Sequence, residues 1–464
     1  MKRLFLLISF FNIAHLNAQD VRSVFNLAYK KFMGDKSLRH ASVGVYVINS
    51  TTGKTVVDQN IQAGLSPASC QKVIIASAAF ELLGHNYNYR TGLSYTGNIT
   101  NGVLNGDIIV KGSGDPTLGS WRYPQTTEDS IISAFKKAIS QEGISEIYGN
   151  VYGDENLWKS EATPDGWIWQ DIGSYYGAGA RALNWRENQY ELLLRSGSKI
   201  GGPVESVSTN PSFIDGLNLK IAVTSAEKES GDNAYIYLPL NEKFAYVRGT
   251  IPVNENRFSI SGAIPHPAKQ LALTLEAALK KIQVEKVAGD YPGDQKHYDT
   301  SHLFYILKSP PLDSIVYWFL KRSINLYGEA LVKTLAYEFT KAGATDSGVN
   351  IVKNFWNTKG IDPAAMNIID GSGLSPANRV TAAALVNVMQ YAKKQSWFPS
   401  FYNALPEING IKMKSGSIGG VVSYTGFIKS KTGVDYTFAF IVNNFDGSAN
   451  EVRKKMWGLL DLLK

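Results

Sequence analysis

The chain has 464 residues, 44% of them hydrophobic and 19% charged, with a net charge of +7. This length is too great for one ordinary core and predicts two or three domains with the composition of a folded globular protein. The positive charge is mild and spread out, and the lack of an arginine-rich run or aromatic-basic motif argues against nucleic acid as a partner. Residues 1–18 read as a secretory signal: Lys2-Arg3, a short apolar core from Leu4 to Ile13, and the small Ala18 before Gln19. The alternative is a buried N-terminal helix. No cysteine follows the apolar core to carry a lipid, and no later apolar run is long enough to span a bilayer, so no membrane anchor is expected once the signal is removed.

A helix is predicted from Val21 to Met33, then strands Ala41–Ile48 and Lys54–Gln59, joined by the turn residues Asn49 to Gly53. Pro67-Ala68-Ser69-Cys70-Gln71-Lys72 reads as a loop entering a buried helix that runs to about Leu83. Ser69 then lies in the first turn, where free N–H groups and the helix dipole favour a developing anion. Lys72, three residues on, shares its face. A lysine partly buried among apolar neighbours can be neutral enough to activate a serine. The plain reading is a helix start with a surface lysine. Cys70 is the only cysteine, which excludes an intramolecular disulfide; it points away from Ser69 and is expected to be a packed core thiol.

From about Asn88 strand-like pieces alternate with glycine-rich turns, among them Val103–Val110 and Ile144–Val151, with a helix from Ser130 to Gln141. The Lys111 to Thr117 loop is glycine-rich but lacks the Lys-Ser/Thr of a phosphate loop. The aromatic stretch from Trp167 to Tyr176 reads either as core or domain contact, or as the lining of a saccharide groove. Residues 191–260 are strand-rich, and a helix returns at about Pro267 to Ile282.

Two further groups follow. Ser323-Ile324-Asn325 precedes a strong helix, Tyr327–Phe339; its hydroxyl and amide can aim at one point, or simply cap the helix. Lys414-Ser415-Gly416-Ser417 ends a short alternating run, and suits an extended substrate bearing a carboxylate, or a surface strand end. Strands Val422–Ile428 and Asp435–Asn443 and an amphipathic helix, Asn450–Leu463, close the chain. The six histidines show no His-x-x-x-His pairing, so no metal and no cofactor is expected.

Ser-x-x-Lys at Ser69 and Lys72, Ser-x-Asn at Ser323 and Asn325, and Lys-Ser-Gly at Lys414 to Gly416 together form the signature set of penicillin-recognising serine enzymes. The long interval between the first two groups narrows this. The chain resembles the class C low-molecular-mass penicillin-binding proteins, the DacB-type D-alanyl-D-alanine carboxypeptidase/endopeptidases. The resemblance extends to Gly114 to Leu118, Gly149 to Asp154, Tyr176-Gly177-Ala178, Ala182-Leu183-Asn184 and Asp370 to Ser375. It departs at Ser415, commonly threonine, which keeps the hydroxyl, and at Pro376, where many relatives carry an arginine.

The resemblance implies a mixed α+β fold: a transpeptidase-like domain with a central antiparallel sheet flanked by helices, built from 19–87 and 263–464, with a strand-rich insert of two small domains over 88–262. It implies a periplasmic serine peptidase acting on peptidoglycan stem peptides through an acyl-enzyme, with β-lactams as covalent inhibitors. Ser69 is the implied nucleophile, Lys72 its base, Ser323 a proton relay and Asn325 a partner of Lys72 and the substrate amide. Lys414 and Ser415 hold the terminal carboxylate, with Gly416 and Ser417 beside it. A homodimer is left open. The other readings are a β-lactamase or esterase on the same scaffold, or a catalytically silent cell-wall-binding protein.

Overall fold

The computed structural model describes residues 21–158, 160–238, 244–279 and 301–464. The expected signal segment 1–18 and the end of the helix expected to reach Ile282 lie outside the described residues. The described chain divides into two compact units, one from 21–85, 316–324 and 349–464, the other from the described residues between 86 and 315 and from 325–348. Residues 263–315 and 325–348, expected with the chain ends, group with the second unit.

The first unit is organised by a six-stranded sheet in the order Glu407–Ile408, Ile411–Ile418, Val421–Lys429, Asp435–Asn443, Ser42–Asn49, Thr55–Gln59. Every pairing in it is antiparallel. The two ends of the chain are joined along Ser42–Asn49 and Asp435–Asn443, in register from Ser42 opposite Asn443 to Asn49 opposite Tyr436. One face of the sheet carries Val43, Val45, Val47, Phe438, Phe440 and Val442 into a core shared with Phe25 and Phe32 of the helix over 21–33 and with Val452 and Met456 of the helix Ala449–Leu460. This is the mixed α+β architecture expected from the sequence.

The helix Lys72–Leu83 is buried on every side from Lys72 to Phe80. An apolar run without polar periodicity has no solvent face to offer, so it becomes a central helix. Trp356 donates its indole N–H to the Ile74 carbonyl at 3.3 Å.

The second unit contains two separate hydrophobic clusters. One gathers Leu93, Val110, Phe135, Leu183 and Leu271, the other Leu192, Val223, Ile236, Val247 and Ile260. The run Val103–Val110 is two strands in two sheets, Val103–Asn105 and Ile108–Lys111, and Ile144–Val151 likewise divides into Glu146–Tyr148 and Val151–Asp154. The cause is a pair of glycines. A Cβ on Gly106 would come within 1.9 Å of the Thr96 carbonyl oxygen, and one on Gly149 within 2.1 Å of the Gly106 carbonyl oxygen. The two parallel strand pairs change sheets together where only glycine fits. The Gly114 to Thr117 loop folds on itself, with Asp115 accepting from the Thr117 N–H and hydroxyl at 2.8 and 2.6 Å.

Candidate active site

Ser69 lies in a 3-10 turn, Ala68–Gln71, that runs directly into the helix beginning at Lys72. In a 3-10 turn side chains three apart eclipse one another. Lys72 Nζ is therefore 2.8 Å from Ser69 Oγ, and also donates to the Ser372 carbonyl at 2.6 Å. Lys72 is fully buried, while Ser69 is half-buried.

The carbonyl that receives Lys72 belongs to the 370–375 loop, which Asp370 holds together. Its carboxylate accepts from Gly373 N–H at 2.8 Å, Ser375 N–H at 2.7 Å and the Asn378 amide at 3.0 Å. Gln71 donates to the Asp370 carbonyl at 2.6 Å and carboxylate at 3.0 Å. The loop is thus tied to the residue directly before Lys72. Its positioning role was not apparent from the sequence, because the group that meets Lys72 is a backbone carbonyl.

The Lys414 strand, Ile411–Ile418, lies against the same turn. Lys414 is 1% exposed, which rules out the reading as a surface strand end. Its Nζ donates to Ser323 Oγ at 3.0 Å and to the Ser415 carbonyl at 2.7 Å. Burial pushes its ammonium down to about 8. Cys70 donates its thiol to the Lys414 carbonyl at 3.2 Å. Burial pushes that thiol up to about 11, so Cys70 is a packed core thiol and not a nucleophile. Ser423, on the next strand, donates to the Pro67 carbonyl at 2.5 Å. Ser415 is half-buried, and the exposed Ser417 accepts from Arg453 at 2.9 Å.

Two residues of this site hold left-handed backbone without being glycine: Ala68, just before Ser69, at φ 44°, and Ser323 at φ 58°. Such conformations cost about 1–3 kcal/mol each and gather at functional sites. The structure brings Ser69 to Lys72 and Ser323 to Lys414 as two hydroxyl–amine pairs within the first unit. Asn325 belongs to the second unit, where it opens the helix Asn325–Thr340 and donates to the Tyr176 carbonyl at 2.7 Å. Among the described residues no group of three or more His, Cys, Asp or Glu could hold a metal ion.

An antiparallel sheet joining both chain ends, a buried central helix led by a serine, and two buried lysines each on a hydroxyl define a penicillin-recognising serine enzyme. A model of the D-Ala-D-Ala carboxypeptidase 3 (S13) family matches residues 26–412. The chain is 24% identical over 453 residues to the D-alanyl-D-alanine carboxypeptidase of Actinomadura sp. (strain R39), covering 89% of this chain and 80% of that protein. It is 24% identical over 437 residues to D-alanyl-D-alanine carboxypeptidase DacB of Haemophilus influenzae, covering 89% and 88%. The crystal structure of penicillin binding protein 4 (dacB) from Haemophilus influenzae has the same fold, with a TM-score of 0.74 at 22% identity over 90% of this chain and 94% of that one. The chain belongs to the D-Ala-D-Ala carboxypeptidase 3 (S13) family and is a serine-type D-Ala-D-Ala carboxypeptidase.

Proposed function

We propose that Ser69 is acylated by the penultimate D-alanine of peptidoglycan stem peptides, with Lys72 as its base. The observation carrying this reading is the 2.8 Å contact between Lys72 Nζ and the hydroxyl of a half-buried serine. Neutral Lys72 takes the Ser69 proton as Oγ attacks the carbonyl between the two D-alanines. The oxyanion sits between the N–H groups of Ser69 and Ser417, fixed donors that need no reorganisation. The C–N bond then breaks, and Ser323 passes a proton to the departing amine, releasing D-alanine. Water hydrolyses the ester and regenerates Ser69.

Lys414 and Ser415 hold the terminal carboxylate, and Gly416 allows the strand to approach the nucleophile. Asn325, two positions after Ser323 in the chain, is read from the motif alone as a partner of Lys72 and the substrate amide. A peptide bond made by a D-alanine in a cross-link presents the same carbonyl, so endopeptidase action needs no further residues. β-Lactams enter as covalent inhibitors at Ser69; a structure of the Haemophilus influenzae relative is a complex with a β-lactam. The leader over 1–18 and the family's substrate together support a periplasmic enzyme. Among the described residues no helix is long and apolar enough to cross a membrane.

The test is intact-mass analysis after benzylpenicillin treatment, with tryptic mapping. A stable adduct on the Ser69 peptide is expected. Fast penicillin turnover without an adduct would support the β-lactamase reading instead, and a folded protein neither labelled nor active would support the silent binding protein.

A further inference from the structure

The second unit carries a feature that the peptidase chemistry does not use. One of its three-stranded sheets orders Leu219–Ala226, Ala245–Pro252 and Asn233–Tyr237 side by side. Alternation along each strand sends Val223, Val247, Ile251 and Ile236 into the core beneath. The opposite face shows Lys220 opposite Tyr246, Tyr246 opposite Tyr237, and Arg248 opposite Tyr235. Lys220, Arg248 and Tyr235 are exposed.

These side chains form a continuous ladder. Trp169, half exposed, meets the Tyr237 ring edge-on at 4.9 Å between centroids. The Arg248 guanidinium lies 5.6 Å from Tyr237 and 5.2 Å from Tyr246. Lys220 Nζ is 5.5 Å from Tyr246 and 3.9 Å from the exposed Phe244 ring. Aromatic and cationic groups thus lie side by side across all three strands at one end of the sheet. The short helix Trp169–Ile172 is held against its edge because Gly173 has no side chain; a Cβ there would meet the Ile236 carbonyl oxygen at 2.1 Å.

We infer that this sheet face binds the glycan strand of peptidoglycan, a linear chain of amino-sugar rings carrying anionic peptides. The inference rests on peptidoglycan being the substrate. Three properties of the face fit that one occupant. The aromatic groups offer flat apolar area for the C–H faces of sugar rings. The exposed Asn233 and Thr224, with Thr250, lie in the adjoining row across the same face and supply amide and hydroxyl groups for sugar hydroxyls. Lys220 and Arg248 complement the peptide carboxylates. The face is an exposed sheet surface that a polymer can lie along, and the adjoining Trp167 to Tyr176 stretch is split: Trp167 is buried, while Trp169 and Tyr175 are exposed.

The experiment sediments the full chain, with Ser69→Ala to prevent turnover, with purified sacculi. The parent should co-sediment. Trp169→Ala with Tyr235→Ala should weaken binding by about tenfold, and Lys220→Gln with Arg248→Gln should weaken it and flatten its salt dependence. The same pairs in a Ser69-intact chain should hydrolyse a soluble D-Ala-D-Ala tripeptide at the parent rate, which also shows that they fold. Failure of the parent to sediment, sedimentation unchanged in both pairs, or binding to phosphatidylglycerol vesicles in preference to sacculi would overturn the inference. Failure of the Ser69-intact parent on the tripeptide would instead overturn the peptidase reading.

Discussion

Gly416→Ala is the sharpest probe of the site. A Cβ at position 416 would lie 2.4 Å from Ser423 Oγ, 2.5 Å from the Pro67 carbonyl oxygen and 2.8 Å from the Ser69 nitrogen. Ordinary contact begins near 3.4 Å, so the strand and the Ser69 turn must separate by about 1 Å. Two of the three obstructions are backbone atoms, and Ser423 is held by its own bond to Pro67, so no flexible side chain can absorb the strain. A displacement of this size near reacting groups costs on the order of 10²-fold in rate. The assay is the second-order rate of acylation by a fluorescent penicillin, with circular dichroism to show that the variant folds. Gly419→Ala, where an added Cβ meets nothing within 4 Å, is the control and should acylate as the parent does. Acylation of Gly416→Ala within twofold of the parent would refute the claim that this glycine sets the strand's distance from Ser69.

Other predictions follow from the same geometry. Lys72→Arg keeps the charge but cannot give up its proton, so it should abolish acylation while preserving the fold; Lys414→Arg should slow acylation without removing it, and the reverse pattern would exchange their roles. Because Lys414 titrates at about 8 in the folded chain against 10.5 ordinarily, the unfolded chain holds more protons between those values, so Lys414 makes stability rise with pH across that window. It also loses its charge as pH rises through about 8, so the KM for a D-Ala-D-Ala peptide should climb there, and Lys414→Arg should flatten that climb in a pH profile. Asp370→Ala removes the acceptor for two buried N–H groups and the Asn378 amide, each worth about 1–3 kcal/mol when orphaned; urea unfolding should show a loss of about 3 kcal/mol or more, with slowed acylation.

Much of this was legible in the sequence because the informative residues carry side chains that announce themselves. The unbroken apolar run after Lys72 reads as a buried helix, and the three motifs with their flanking strands led, through the family resemblance, to a sheet shared by both chain ends. What stayed hidden was carried by backbone. The Ser372 carbonyl that meets Lys72 has no residue signature, and neither does the Tyr176 carbonyl that receives the Asn325 amide; Asn325 was as easily read as a helix cap. Gly106 and Gly149 lay inside runs read as single strands, because the need for glycine arises only when two distant backbones approach each other. The stretch around Trp169 could be read as core or as binding surface, since neighbouring aromatic residues there take opposite fates.

Close backbone approach also accounts for the glycines packed against the Ser69 turn. Gly373, at φ 81°, would place a Cβ 2.0 Å from the Ala68 carbonyl oxygen, and Gly416 closes on Pro67 and Ser69 as described above. Both belong to motifs, yet neither offers a functional group to a substrate. They bring the Asp370 loop and the Lys414 strand into backbone contact with the strained turn at Ala68. With the Cys70 thiol bonded to the Lys414 carbonyl, Gln71 bonded to Asp370 and Lys72 to the Ser372 carbonyl, the turn from 68 to 72 is gripped by these two segments on either side of Ser69. Preorganisation at Ser69 is therefore supplied by close backbone packing, and the pairing of motif lysines with motif glycines follows from it: a lysine can be buried beside a serine only where the surrounding chain comes close enough to exclude water and offer carbonyls in its place.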